Sequence, residues 1–193
     1  ADYEAAIRAI TFAAGGGDTP DTTARTIRVV VRDESGNSNT AVSTISVVAV
    51  NDAPVNHLPA TPQTVNEDTS LVFSTANGNA ISISDSDAGV TAPISVTLTA
   101  SNGILTLGGT TDVTVSGNGT GTVTLTGTQA AINTALEGTN FSPVANYSGN
   151  AQIQIITNDN GNTGTGGAQS ATDTIGIAIT PVADAPTLSL SAK

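Results

Sequence analysis

Sixteen carboxylates face only five lysines and arginines in this 193-residue chain, and they are not spread evenly. They gather at Asp33-Glu34, at Asp52 behind Asn51, at Glu67-Asp68, at Asp85 and Asp87, at Asp159 and at Asp184. The apolar runs between these points are nearly free of charge. Carboxylates so grouped repel one another unless a cation lies among them. A hard divalent ion such as Ca²⁺ takes roughly six to eight oxygen ligands and suits such sets. The stretch Asp85-Ser86-Asp87-Ala88-Gly89 places two carboxylates two positions apart, able to face one ion, with Gly89 free to make the tight turn. The plainer reading is that Asp and Asn are ordinary turn residues, bonding their own backbone two positions on. Either reading puts these side chains on loops.

The elements that must carry the loops are strands. Ile94, Val96 and Leu98 alternate with Ser95, Thr97 and Thr99; Val113-Thr114-Val115 and Val123-Thr124-Leu125 do the same. Ile153 and Ile155 alternate with glutamines, and Ile175, Ile177 and Ile179 with Gly176 and Ala178. One apolar and one hydroxylated face is the signature of an antiparallel strand covering a core on one side. The glycine- and asparagine-rich pieces 76–80, 101–103, 116–121 and 159–167 are the turns between them. The spacing predicts an all-β sandwich. Two stretches break the alternation, 2–10 and 128–136, each read as a short helix opened by Asp2 or Thr128 as N-cap.

These two stretches also begin a repeat. Ala5-Ala6-Ile7 aligns with Ala130-Ala131-Ile132, and Phe12 with Phe141 after a small insertion. TIRVVV (26–31) aligns with AQIQII (151–156), DESGN (33–37) with NDNGN (158–162), and the segment 44–55 with 175–187. The phrase Asp-Ala-Pro closes both copies, at 52–54 and 184–186. Repetition at this period indicates tandem domains. Residues 1–52 are then the C-terminal part of an incomplete or split repeat, 53–184 a whole one, and 185–193 the start of the next. The whole repeat is expected to hold seven to nine strands and one helix, and residues 1–50 a helix and three strands.

Composition removes several functions. A net charge of −11 and a pI near 4.1 disfavour nucleic acid and anionic membrane surfaces, which need Lys and Arg. The absence of cysteine removes disulfides and zinc-thiolate sites. The lone His57 has no partner histidine for a transition metal, and the serines and threonines lack the histidine and acid spacing of a hydrolase. A carboxylate pair doing glycosidase chemistry wants an aromatic-lined cleft, and aromatics are 3% of this chain. No enzyme is expected. No run approaches a membrane span and no signal peptide opens the sequence, so the chain reads as a piece of something longer.

The ordered set VNDAPV, VNEDTSLVF, ISISDSDAG, ANYSG and NDNGN resembles the tandem cadherin-like, immunoglobulin-like repeats of giant bacterial surface adhesins of the RTX type, which leave the cell by type I secretion. The resemblance covers essentially the whole chain. It implies an extracellular, monomeric, calcium-stiffened extender whose partners are the neighbouring repeats, with host or surface ligand bound elsewhere in the adhesin. Two alternatives stay open: a glycan- or peptide-binding domain, or a split scaffold carrying an inserted ligand-binding module. Two tyrosines and no tryptophan favour the spacer.

Carried over residue by residue, Asn51 and Asp52 match the cadherin linker ligands, Asp85 and Asp87 the paired loop, and Asp159 the later loop acid. Glu67 matches the N-terminal glutamate that serves the domain's far end near Asp184. A backbone carbonyl near Ala53 and the Asp33 turn complete the candidate calcium ligands. Ala49 stands where the linker's first acid belongs, Ala183 replaces Asn51 at the second joint, and no LDRE is present. Fewer ions per joint than in a cadherin are therefore expected.

Overall fold

The structure is a computed structural model that describes residues 3–60 and 62–186. The apolar alternation becomes strands wherever it is regular. A six-stranded sheet has the order β11-β12-β9-β14-β15-β6, from Val113–Ser116, Thr122–Thr128, Pro93–Ala100, Gly149–Asn158, Ser170–Thr180 and Gln63–Asn66. All its ladders are antiparallel except the last, where β6 runs parallel to β15 over Ile177↔Gln63 to Thr180↔Asn66. Smaller sheets are β10-β13-β7 (Gly103–Thr106, Thr139–Pro143, Leu71–Phe73) and β5-β8 (Val55–His57, Ser82–Ser84).

The in-facing side chains meet in one core. The large sheet sends in Ile94, Val96, Leu98, Val123, Leu125, Ile153, Ile155, Ile175, Ile177 and Ile179; the smaller sheets add Phe73, Ile83, Leu105 and Phe141. Helix α2 (Gln129–Leu136) caps it with Ile132, Ala135 and Leu136. Thr128 opens that helix as expected, its side chain accepting from the Ala131 amide at 3.3 Å. The described residues form an all-β sandwich fold with two short helices.

Between residues 55 and 180 there are eleven strands rather than seven to nine. Turns broke runs that periodicity alone would have joined; Asp68, for instance, sits at φ 60 between β6 and β7. Residues 3–50 form helix α1 (Tyr3–Arg8), a five-residue ladder of β1 (Arg25–Val29) with β4 (Ala41–Ile45), and two two-residue strands, β2 (Arg32–Asp33) and β3 (Gly36–Asn37). That is four strands where three were expected. Asp2 and residues 187–193 lie outside the described residues.

Ladder register moves the alignment expected between the two stretches by one residue. In β1–β4, Arg25, Ile27 and Val29 stand opposite Ile45, Ser43 and Ala41. In β14–β15, Ala151, Ile153 and Ile155 stand opposite Ile177, Ile175 and Asp173. The Asp-Ala-Pro phrases at 52 and 184 set the second strand at an offset of 132, which puts Ile45 on Ile177. The ladders then put Ile27 on Ile153 and Val29 on Ile155, an offset of 126, while Arg25, Ser43 and Ala41 fall on the unlike Ala151, Ile175 and Asp173. The first strand must therefore shift one residue from TIRVVV against AQIQII, which also sets Asp33 against Asp159. Both aspartates then do the same thing, accepting the amide two residues on, Ser35 or Gly161, at 2.8 Å.

Candidate functional site

Part of the acid set named from the sequence comes together around the chain that enters the sandwich. Asn51 is buried, and its side-chain amide donates to Asp159 Oδ2 at 2.6 Å and to the Gly167 carbonyl at 2.8 Å. The next amide, Asp52 N, donates to Asp87 Oδ2 at 2.6 Å. Asp87 is itself buried, and its amide and that of Ala88 donate to Asp85 Oδ1 at 2.8 and 3.1 Å. Asp159, fully buried, takes the amides of Gly161 and Gln169 on Oδ1, both at 2.8 Å. Five of the expected residues, Asn51, Asp52, Asp85, Asp87 and Asp159, thus form one connected network. Ala53 follows on the surface, with Pro54 buried beside it.

Strands and loops fix these groups for local reasons. β8 delivers Asp85, and the Asp85 amide donates to Gln129 Oε1 of α2 at 2.8 Å, tying the acidic loop to the helix start. β14 delivers Asp159, and the loop after it folds back over the linker. There Thr165 and the linker exchange two backbone bonds, Asn51 N to Thr165 O and Thr165 N to Ala49 O, each 2.9 Å. Thr163 Oγ1 donates to the Asp87 carbonyl at 2.6 Å. Gly164 lies so close that an added Cβ would sit 2.5 Å from Asn51 N, with φ at +124. This clasp was read in the sequence only as a turn. Its mark was there, in six more residues between the paired strands than the first copy has (132 against 126).

Two buried oxygens in the network have no partner: Asn51 Oδ1 and Asp85 Oδ2. A buried acceptor left unmade costs about 1–3 kcal/mol, and more where charged. The stretch that holds them supplies no Lys or Arg: residues 51–184 contain ten carboxylates and neither basic residue. Among the described residues no group of three or more His, Cys, Asp or Glu side chains is close enough to hold a metal ion. A metal here would have to draw on the Asn51 amide oxygen and main-chain carbonyls besides carboxylates. That donor set, all oxygen and mixed in charge, is the kind a calcium ion accepts.

The remaining candidates lie elsewhere. Glu67 is buried beyond β6 and accepts the Val182 amide on Oε1 at 2.7 Å, two residues before exposed Asp184. Asp33 turns inward on its own hairpin, with Oδ1 taking the Ser35 amide at 2.8 Å, the Ser35 hydroxyl at 2.6 Å and the Gly36 amide at 3.2 Å. The Ser35 hydroxyl, then its amide, hold that carboxyl below the usual carboxylate range. His57 Nε2 lies 2.7 Å from Ser84 Oγ, across the β5–β8 pair.

The chain matches no protein-family model and no curated protein. Among solved structures it is similar to the sixth cohesin of scaffoldin B from Acetivibrio cellulolyticus, solved with a Cel5 dockerin mutant, at 10% identity and TM-score 0.40 over 67% of this chain and 97% of that one. It is also similar to human mucin-like protocadherin EC1-2, at 15% identity and TM-score 0.38 over 86% of this chain and 74% of that one. Domains 4 and 5 of the S-layer protein SbsC share 16% identity at TM-score 0.30, over 81% of this chain and 58% of that one.

Proposed function

We propose that this chain is a non-catalytic, repeat-built structural module of a large extracellular surface protein of the adhesin kind, and that a calcium ion locks the joint where residues 51–52 enter the sandwich. The observation that carries the reading is the pair of buried, unpartnered oxygens Asn51 Oδ1 and Asp85 Oδ2, beside buried Asp87 and Asp159, in a stretch without Lys or Arg. Asn51, Asp52, Asp85 and Asp87 would hold the ion, with a main-chain carbonyl near Ala53. Asp159 holds Asn51 in place by accepting its amide. When bound, the ion supplies positive charge and a fixed coordination geometry.

The chain's own residues prepare the rest. Loop 85–88 grips the linker through Asp87, and loop 159–169 grips it through Asp159 and Thr165. The linker then has one position relative to the sandwich, and a joint with one position is a spacer's requirement. Glu67 and Asp184 prepare a second joint at the far end, and secretion to a bacterial surface fits an acidic, cysteine-free chain.

Extracellular calcium modules bind with dissociation constants of roughly 10⁻⁴ to 10⁻³ M. At a hundredfold excess over that constant, folding gains about 2.7 kcal/mol. Thermal melts in calcium and in chelator should differ by several degrees. Asp87→Asn should shrink that difference, and magnesium at equal concentration should reproduce little of it. Identical midpoints in calcium and chelator would remove the ion from the proposal.

A further inference from the structure

We propose that residues 3–50 present an unfinished apolar face made to seat an acidic, strand-rich half-repeat of the kind formed by residues 53–127, and that seating it closes a second sandwich. The inference rests on the repeat reading above but not on the calcium ion.

The register match supplies the template. Ile27 and Val29 correspond to Ile153 and Ile155, and Ile45 to Ile177. In the complete copy those three partners are buried; in the first copy none of the described residues up to Val50 is. Two helix-side positions make the contrast numerical. Ile7 is 42% exposed where Ile132 is 0%, and Phe12 is 43% exposed where Phe141 is 0%. Ile27, Val29 and Ile45 are half-buried and Ile7 and Phe12 exposed, so core residue types stand at positions that the described residues leave incompletely covered.

The complete copy also shows what the cover is. The free edge of β14 is taken by β9, antiparallel, and that of β15 by β6, parallel. Both covering strands, and the apolar layer from Phe73 to Leu125 that faces them, come from residues 53–127. Among the described residues β1 and β4 pair only with each other. An antiparallel strand on β1 and a parallel one on β4 would complete the pattern.

The ladder pattern favours this occupant over a second copy of the same face. Residues 53–127 supply both strands that cover β14 and β15, β9 and β6, and a second β1–β4 face holds neither. Charge does not oppose it. Arg25 is already paired with Asp21 at 3.1 Å, and residues 53–127, with Glu67, Asp68, Asp85, Asp87 and Asp112 and no Lys or Arg, add no like charge to Arg28 on β1.

The test is to join a duplicate of residues 53–127 ahead of Asp2 of the full chain and follow amide hydrogen exchange by mass spectrometry. In the 193-residue chain the amides of 25–29 and 41–45 should exchange fast. In the extended chain they should slow by roughly a hundredfold or more, as core ladders do. Ile27→Asp in the extended chain should abolish that slowing and leave the melting of residues 53–184 unchanged. Unslowed exchange in the extended chain, while 53–184 stays protected, overturns the proposal. So does slow exchange in the 193-residue chain with sedimentation as a dimer, which would make a second copy the occupant. Running each arm in calcium and in chelator separates the two readings. Loss of the calcium effect on melting sinks the ion, and loss of the slowing sinks the half-repeat.

Discussion

Similar local devices occur at two places in this molecule, half-covered at one and fully buried at the other. Helix α1 and helix α2, the β1–β4 and β14–β15 ladders, and the Asp33 and Asp159 turns are alike in kind and order and share residues such as Ile27 and Ile153 or Ile45 and Ile177. In residues 55–180 these devices enclose a core whose largest side chains are fully buried; in residues 3–50 nothing described is buried. Period-two alternation therefore specifies a strand and its face, while stability comes from whatever lies on that face. A half-sandwich can have the right pattern and little of its own to hold it.

The sharpest test of that contrast is Phe141→Ala against Phe12→Ala. Emptying a buried phenylalanine site costs about 3–5 kcal/mol. Urea unfolding should therefore show a large fall for Phe141→Ala, and a change within about 0.5 kcal/mol for Phe12→Ala, as for an ordinary surface site. Equal losses would mean that the two halves are packed alike.

Asp159→Ala against Asp33→Ala comes next. Asp159 is buried and accepts from three donors in the joint, so its loss orphans the Gly161 and Gln169 amides and frees Asn51. A cost of about 2–4 kcal/mol follows from buried donors left unmade. Asp33 is exposed, and its removal should leave the melting midpoint of the sandwich where it was.

Gly164→Ala should have a smaller but more localised effect. The added methyl meets Asn51 N and the Val50 carbonyl carbon, at 2.5 and 2.6 Å, in a backbone conformation that alanine rarely adopts. Strain of this sort is worth about 1–3 kcal/mol. Faster exchange of the Asn51 and Thr165 amides, with β9 and β14 unchanged, would place the damage in the clasp. An unaltered Asn51 amide would show that the loop does not hold the linker.

The smallest effect concerns pH. Hydrogen bonds from the Ser35 hydroxyl and amide lower the folded-state pKa of Asp33, so the turn's contribution is present above the ordinary carboxylate value of 3.8. It is lost as pH falls through the depressed folded value. The Ser35 amide resonance should therefore stay in place down to about pH 4 and move only below it, and Asp33→Asn should flatten the curve.

Much of this could be read from the chain before any coordinates. Ile94, Val96 and Leu98, or Ile175, Ile177 and Ile179, have only one phase in which the apolar side chains share a face. Thr128 before Gln129-Ala-Ala is an unambiguous helix start. The phase of β1 was not legible, because Val29, Val30 and Val31 follow one another and allow either face; only pairing to β4 chose Ile27 and Val29. The network around Asn51 was legible as a set of acids, since carboxylates grouped on loops without lysine or arginine stand out. What the glycines at 164, 166 and 167 were for was not. Glycine announces freedom of the backbone and says nothing of what the backbone will approach, here the linker at Val50 and Asn51.

The parallel pairing of β6 with β15 sets how the sandwich meets a pull. β6 is the first strand of the large sheet and β15 its last, so chain on either side draws them in opposite directions along their own length. Two parallel strands drawn that way slide rather than peel, and the four rungs from Ile177↔Gln63 to Thr180↔Asn66 are loaded side by side instead of one after another. An antiparallel ladder pulled open from one end yields its hydrogen bonds singly, at low force. A pull that passes the clasp at residues 49–52 and the β5–β8 pair and reaches β6 meets a ladder that breaks as a set, as a buckle does.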